Sequence, residues 1–197
     1  ARVLKKGGNL VFSSRENAFM RQANILKPFG FTEEETIEKL EGLIENYDVI
    51  GVVSQPDKRV GRKQELVNTP IKEVALKHNI PVFQPKRIRK EYHDIMALNP
   101  DIIVTAAYGQ IVGMELLDSP KYRSINVHGS LLPKYRGGAP IQRSIMNGDK
   151  YTGITIMYME KGMDSGDILS QRSLEILDSD NNETLFEKMS YFKKLNV

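Results

Sequence analysis

The stretches Asp48-Val-Ile-Gly-Val-Val-Ser54 and Asp101-Ile-Ile-Val-Thr-Ala-Ala107 decide the fold of this chain. Both are almost wholly apolar, which is typical of strands in a parallel sheet that helices cover on both faces. Around them, short β-branched runs alternate with helical patterns, as they do in βαβ units. The sequence therefore predicts an α/β fold with a mostly parallel sheet and helices on both faces.

Helix starts and apolar spacing predict further elements along the chain. Thr69 followed by Pro70 is a favoured helix start, because proline fits the first helical position. Thr32 and Glu35 match a capping box at the start of an earlier helix. Periodicity predicts four more elements: a strand over 9–13, a helix over 140–147, a strand over 152–159 and a helix over 183–195.

The polar stretch from Ser14 to Gly30 interrupts this pattern. It lacks a strand or helix period and exceeds the usual βα connection of about 2–6 residues. We therefore expect an irregular segment and divide the chain into an atypical N-terminal segment, residues 1–38, and a main body, residues 39–197. Since the chain has 197 residues, we expect both parts to form a single domain.

Composition excludes several classes of protein. Hydrophobic residues make up 40% and charged residues 27%, so the chain should fold. The absence of cysteine excludes disulfides and thiolate metal sites, which suits a cytoplasmic location. No apolar run approaches the roughly 20 residues of a membrane helix, and no signal-peptide pattern stands at the start. A net charge of +3 is too small to indicate nucleic-acid binding by itself.

The run from Ser124 to Pro133 carries residues suited to catalysis. Because strand side chains alternate, Asn126 and His128 project to the same side. Loops at the carboxyl ends of strands are where open α/β sheets bind ligands. An amide beside an imidazole suits acyl chemistry, in which an oxyanion develops and a proton moves. The alternative is a hydrogen-bonded loop histidine next to a turn-forming asparagine.

A second cluster, Glu160-Lys-Gly-Met-Asp164-Ser-Gly-Asp167, follows the predicted strand over 152–159. A carboxylate from this loop could orient an imidazole and complete a set of Asn, His and Asp side chains. The alternative is a purely structural turn rich in Asp and Gly. A calcium loop of the EF-hand type is excluded by the spacing of the acidic residues.

Positive charge is concentrated in a loop between Pro56 and Lys63. Such a cluster can neutralise phosphates and hold a nucleic-acid backbone without reading bases. The alternative is an ordinary solvated surface. The cluster consists of Lys58, Arg59, Arg62 and Lys63.

Three motifs together resemble the folate-dependent formyltransferase family. They are Asn126-Val-His128-Gly-Ser-Leu-Leu-Pro133, Arg136-Gly-Gly-Ala-Pro140-Ile-Gln142 and Asp164-Ser-Gly-Asp167-Ile. The second motif indicates the branch of the family that formylates initiator methionyl-tRNA. With further similarity around Gly51 and Tyr108, the resemblance covers roughly residues 40–185.

The resemblance implies a Rossmann-like catalytic domain that supports translation initiation. It would act as a monomer in the cytoplasm, with 10-formyltetrahydrofolate as the formyl donor and without a metal. Asn126, His128 and Asp164 would be catalytic, and Arg62 would be the foremost tRNA contact, assisted by the other three cations of its cluster. Four further residues would line the folate site: Ser130, Leu131, Leu132 and Pro133.

Two departures from the family concern the ends of the chain. The family begins with a strand, a Gly-Thr-Pro turn and a helix, whereas Ser13-Ser-Arg-Glu-Asn17 stands here, so residues 1–38 do not match. The smaller C-terminal β-barrel domain of the family is absent from the 197 residues.

Several other functions remain open alternatives. One is a formyltransferase that acts on a small amine, such as an amino sugar or glycinamide ribonucleotide. Another is a hydrolase that releases formate at the same site. A nucleotide-binding module without catalysis is disfavoured because no G-x-G-x-x-G follows the first predicted strand. The last alternative is a truncated module that folds but does not catalyse a reaction.

Overall fold

A computed structural model describes residues 9–14, 33–60, 63–106 and 108–191. The strands are β1 (Asn9–Ser14), β2 (Asp48–Val53), β3 (Lys58–Val60), β4 (Glu65–Val67), β5 (Val82–Phe83), β6 (Ile102–Ala106), β7 (Ser124–His128), β8 (Tyr151–Tyr158) and β9 (Ile168–Glu175). The helices are α1 (Glu33–Asn46), α2 (Pro70–Lys77), α3 (His93–Ala97), α4 (Met114–Leu117), α5 (Pro140–Met146) and α6 (Asn182–Tyr191). None of these described helices combines the length and apolarity needed to cross a membrane.

One seven-stranded sheet organises the described chain, in the order β5-β2-β1-β6-β7-β8-β9. The pairs that join β5, β2, β1, β6 and β7 are all parallel. The pairs β7–β8 and β8–β9 are antiparallel. The predicted α/β fold with a mostly parallel sheet is confirmed, and its antiparallel edge begins next to β7.

The core occupies both faces of this sheet. Along β6, Ile102 and Val104 pack in a cluster with Leu40 of α1 and with residues of α2. Ile103 points the other way, into a cluster with Ile95 of α3 and with α4. Alternate side chains of one strand thus meet helices on opposite sides, so the whole of β6 is buried. The prediction of helices on both faces is confirmed.

The predicted elements agree with the structure near their centres and differ at their ends. The helix that begins at Pro70 and the first strand are both present. The predicted final helix is described as far as Tyr191, and its predicted end lies outside the described residues. Most of the predicted irregular segment also lies outside them, since only Ser14 is described and it ends β1. The predicted division of the chain into an atypical segment, residues 1–38, and a main body, residues 39–197, stays a prediction.

The basic segment that the sequence predicts as a loop is partly a β-hairpin. β3 and β4 pair antiparallel, with Lys58 opposite Val67 and Val60 opposite Glu65. Arg59 Nη1 donates to the Gln64 carbonyl oxygen at 3.2 Å across the turn. Strands of three residues are too short to show the period of two that identifies a strand in a sequence. The loop prediction is therefore wrong for this part of the segment.

Candidate active site

The sheet presents Asn126 and His128 from β7, where they occupy alternate positions of the strand. Asn126 pairs with Thr105 of β6 in the parallel ladder. Thr105 Oγ1 lies 2.9 Å from Asn126 Oδ1, close enough to donate a hydrogen bond. This bond turns the Nδ2 atom of the amide away from β6. Sequence reasoning missed Thr105 because a single threonine in an apolar strand carries no chemical signature.

Asp164 reaches the same place from the loop that connects β8 and β9. Because β8 runs antiparallel to β7, Tyr158 at its end pairs with Ile125, near the amino end of β7. Residues 159–167 therefore have to fold back along β7 to bring Asp164 to its partners. The strand predicted over 152–159 corresponds to β8 and lies directly beside β7, which carries Asn126 and His128. Asp164 reaches Asn126 and His128 across the antiparallel edge of the sheet.

The Asp164 carboxylate contacts three groups. Its Oδ1 accepts from Asn126 Nδ2 at 3.4 Å, and its Oδ2 accepts from the Gly137 amide at 2.7 Å. The same Oδ2 lies 3.5 Å from His128 Nδ1. Asp164 has φ 46°, in the left-handed region that costs most residues free energy but that Asp tolerates better than most. The loop conformation thus aims this carboxylate at both of the other predicted site residues.

The imidazole of His128 is 8% exposed and has acceptors on both sides. Nε2 lies 2.9 Å from the carbonyl oxygen of Tyr135. Because a carbonyl oxygen only accepts, Nε2 carries a proton in this arrangement. Nδ1 faces the Asp164 carboxylate, so both nitrogens find a suitable partner when the ring is the doubly protonated imidazolium.

The four predicted folate residues form the turn after Gly129. Ser130 and Leu132 are buried, Leu131 is half-buried and Pro133 is exposed. Ser130 Oγ donates to the Lys134 carbonyl oxygen at 2.6 Å, so its hydroxyl proton is used within the turn. Leu131 lines a cleft of about 340 Å³ together with Lys134, Asp149, Lys150 and Tyr151. Their contact with a folate stays a prediction.

Two side chains from the antiparallel edge hold this turn in place. Thr155 Oγ1 donates to the Ser130 carbonyl oxygen at 2.6 Å and accepts from the Leu132 amide at 3.1 Å. Gln171 Nε2 donates to the Leu132 carbonyl oxygen at 2.8 Å. Sequence reasoning missed both residues. Thr155 is one of two buried threonines in β8, the other being Thr152, so the sequence of the strand does not single it out.

A second polar cluster lies at the base of the β3–β4 hairpin. Lys72 Nζ bonds to Asp57 Oδ2 and also donates to Gln84 Oε1 at 3.0 Å. Gln84 Nε2 donates to Asp57 Oδ1 at 2.7 Å. Burial alone would raise the pKa of Asp57, but the hydrogen bonds from Gln84 and Lys72, with the charge of Lys72, bring it below its ordinary value. The cluster links the residue before the hairpin to the helix after it.

Three of the four predicted RNA-binding residues, Lys58, Arg59 and Lys63, lie on this hairpin or in its turn. Arg59 and Lys63 are exposed, and Lys58 begins β3. Arg62 lies outside the described residues. The predicted contact of Arg62 with RNA stays a prediction.

Comparison with known proteins identifies the family. Residues 21–195 match the formyl transferase family. The match begins before residue 38, so the similarity extends further towards the start than the sequence analysis predicted. Methionyl-tRNA formyltransferase of Ligilactobacillus salivarius is 59% identical over 154 residues, which are 77% of this chain and 48% of that protein. Methionyl-tRNA formyltransferase of Bacillus thuringiensis is 56% identical over 162 residues, which are 81% of this chain and 52% of that protein. The chain thus spans about half the length of these curated relatives.

Solved structures agree on the fold. Phosphoribosylglycinamide formyltransferase from Bacillus halodurans superposes with a TM-score of 0.68 at 24% identity, over 95% of this chain and 90% of that one. Glycinamide ribonucleotide transformylase 1 from Symbiobacterium toebii has a TM-score of 0.70 at 18% identity, over 95% of this chain and 81% of that one. At such identities the likeness shows the Rossmann-like fold and nothing finer. With the match over residues 21–195, the chain belongs to the formyl transferase family.

Proposed function

We propose that this chain transfers a formyl group from 10-formyltetrahydrofolate to the amino group of initiator methionyl-tRNA. The observation that carries the proposal is the position of the Asp164 carboxylate, which comes from a distant part of the sequence and lies within 3.5 Å of polar atoms of both Asn126 and His128. The identities of 56–59% to curated methionyl-tRNA formyltransferases favour this acceptor over a small amine.

The donors at this site suit the oxygen of a formyl group. Asn126 Nδ2 has two N–H groups, and Asp164 Oδ1 accepts only one of them, at 3.4 Å. His128 Nδ1 lies 3.5 Å from Asp164 Oδ2, a distance at the long end for a hydrogen bond, so its proton is available to a second acceptor. Both donors can therefore also donate to an oxyanion that develops between them without changing orientation, which is the transition-state stabilisation that acyl transfer needs.

The reaction forms one C–N bond and breaks another. The acceptor amine attacks the formyl carbon, and the carbonyl oxygen becomes the oxyanion that Asn126 and His128 stabilise. The attacking nitrogen then loses one proton, and the leaving folate nitrogen gains one. Asp164 is placed to accept the first proton, and the imidazolium of His128 is placed to supply the second. The oxyanion collapses to the carbonyl as the C–N bond to the folate breaks, and Asp164 then returns its proton to the neutral imidazole of His128, whose Nδ1 lies 3.5 Å away. The enzyme thus regains its starting charges, and no proton is left over.

For the acceptor, we propose that the cations of the β3–β4 hairpin neutralise RNA phosphates. Arg59 and Lys63 are exposed at the surface, as a phosphate contact requires. Such contacts hold the backbone without reading the bases. Arg62 is the foremost candidate by the family resemblance.

The test compares acceptors at a common donor concentration. The chain is incubated with 10-formyltetrahydrofolate and initiator methionyl-tRNA, glycinamide ribonucleotide or water alone, and the formylated product or free formate is quantified. We expect formyl-methionyl-tRNA as the main product. Faster formylation of glycinamide ribonucleotide, or formate release in the absence of an amine, would overturn the proposal.

A further inference from the structure

The hydroxyl of Thr105 lies directly under the Asn126 amide. Thr105 is 2% exposed, at the fourth position of β6. Its Oγ1 lies 2.9 Å from Asn126 Oδ1, 3.2 Å from the Ile125 carbonyl oxygen and 3.1 Å from Met159 Sδ. A threonine hydroxyl has one proton to donate, and the shortest of these contacts is the one to Asn126.

We infer that Thr105 is a positioning residue that fixes the orientation of the Asn126 amide for formyl transfer. The inference rests on the proposed function, because it assigns Thr105 a task in that reaction. An asparagine amide has two orientations that exchange its oxygen and nitrogen, and only hydrogen-bond partners distinguish them. Thr105 supplies the donor that selects one of the two.

The opposite orientation is unfavourable at this site. Rotating the amide by half a turn would bring Asn126 Oδ1 against Asp164 Oδ1, which now accepts from Nδ2 at 3.4 Å. Two acceptor oxygens would then face each other in a partly buried place. Thr105 and Asp164 therefore act on opposite ends of one amide, and both favour the orientation in which Nδ2 points at the predicted oxyanion.

Asp164 and Thr105 constrain the Asn126 amide differently during the reaction. Asp164 has to release or share its partners when an oxyanion and a moving proton appear beside it, as proposed above. Thr105 touches only the oxygen end of the amide and is buried away from the reacting atoms. It can keep Asn126 Nδ2 directed at the oxyanion throughout the reaction. Such preorganised donors contribute more than donors that must reorient.

The same hydroxyl also contacts the start of the loop that carries Asp164. Met159 is the first residue after β8, and its amide donates to the Ser124 carbonyl oxygen at 2.8 Å. Thr105 Oγ1 touches the sulfur of this residue at 3.1 Å. Thr105 thus contacts both the strand that carries Asn126 and the segment that delivers Asp164.

The test uses Thr105→Val, which keeps the shape of the side chain and removes the hydroxyl. We expect kcat for formyl transfer to fall about tenfold, the equivalent of one neutral hydrogen bond, with KM for both substrates unchanged. Thr105→Ser retains the hydroxyl and should restore kcat. Thr152→Val is the matched control, because Thr152 is 2% exposed and its Oγ1 has no hydrogen-bond partner among the described residues.

A double-mutant comparison separates positioning from simple stability. In an Asn126→Ala background there is no amide to orient, so Thr105→Val should have no further effect on kcat. An equal loss in both backgrounds, or a wild-type kcat for Thr105→Val, would overturn the inference.

A readout without turnover distinguishes this inference from the proposed function. In nitrogen-edited NMR, the two side-chain amide protons of Asn126 should give one sharp pair in the wild type and in Thr105→Ser. In Thr105→Val the pair should broaden or shift. Unchanged signals would sink the role of Thr105 even if the enzyme is active. If the Asn126 signals broaden or shift in Thr105→Val but the wild type transfers no formyl group, the result contradicts the proposed reaction and leaves the positioning of the amide by Thr105 supported.

Discussion

The Nδ1 atom of His128 lies 3.5 Å from Oδ2 of Asp164, and the Gly137 amide donates to the same Oδ2 at 2.7 Å. The carboxylate side chain is 15% exposed, so solvent screens this pair less than a surface pair. Because Nε2 of the ring faces the Tyr135 carbonyl oxygen, the ring cannot turn over without losing that bond. The pair is therefore held in one geometry by its surroundings.

Replacing Asp164 by Asn should remove the charge that compensates the imidazolium. We expect kcat for formyl transfer to fall by at least about a hundredfold, because an amide neither accepts a proton nor balances the ring charge. Initial rates at saturating substrates measure this effect. Asp178→Asn is the control, since Asp178 is exposed in the turn after β9. Near-normal turnover of Asp164→Asn would mean that His128 works without the carboxylate.

Asn126 and His128 should behave as one unit. Loss of an oxyanion donor costs ~10²–10³ in turnover, so Asn126→Ala and His128→Ala should each lower kcat by about that factor. The double variant should be only slightly slower than the slower single variant, because the two donors stabilise the same oxyanion. Single-turnover rates of the three variants provide the comparison. Multiplicative losses would indicate two independent roles.

Arg62 tests the proposed RNA contact. If it neutralises a phosphate, Arg62→Ala should weaken binding of methionyl-tRNA and lower the slope of log K against log salt by about one unit. Folate affinity should not change. Lys77→Ala, at the exposed end of α2, is the matched loss of a surface cation. An identical salt dependence of binding in wild type and Arg62→Ala would show that Arg62 does not contact a phosphate and is only a solvated surface residue.

Asp57 should make stability depend on pH. Its pKa is lower in the folded chain than its ordinary value, despite burial, because Gln84 and Lys72 bond to the ionised form. The stabilisation is therefore present above the ordinary carboxyl pKa and is lost as the pH falls through the lower folded value. Asp57→Asn should reduce the free energy of unfolding by about 1–3 kcal/mol at neutral pH.

Urea denaturation at several pH values measures this dependence. The difference between wild type and Asp57→Asn should shrink as the solution is acidified. The exposed Asp178→Asn provides a control that should leave stability nearly unchanged. A difference that is constant with pH would mean that Asp57 stabilises the fold through shape and hydrogen bonding, independently of its charge.

Gly153 tests the packing of the antiparallel edge against the turn after β7. A Cβ at this position would lie 2.0 Å from the Arg172 carbonyl oxygen and 2.6 Å from Leu131 Cδ2. Gly153→Ala should therefore push β8 and β9 apart and lower the free energy of unfolding by about 1–3 kcal/mol or more. Gly42→Ala in α1, where a Cβ meets open space, should instead stabilise by about 0.5–1 kcal/mol. In thermal unfolding, we expect Gly153→Ala to lower Tm and Gly42→Ala to raise it relative to the wild type.

The sequence alone determined the class of the fold and the residue types of the site. The apolar runs around Val49 and Ile103 predicted buried strands, because only a strand covered on both faces can be apolar at every position. The period of two placed Asn126 and His128 on one side of their strand. Family resemblance then selected the Asp at position 164 from its acidic neighbours. These are local properties, and a sequence records them directly.

Only the tertiary structure decided how those residues meet. Parallel and antiparallel ladders have the same side-chain period, so no local pattern shows that β8 runs against β7 and that Asp164 arrives from the opposite end. The contact between Thr105 and Asn126 depends likewise on the register of β6 and β7, which are separated in the described chain by the short helix α4 and its loops. The β3–β4 hairpin is too short to carry a period. Register and strand direction are set by packing between distant segments, and that is information a single stretch of chain does not hold.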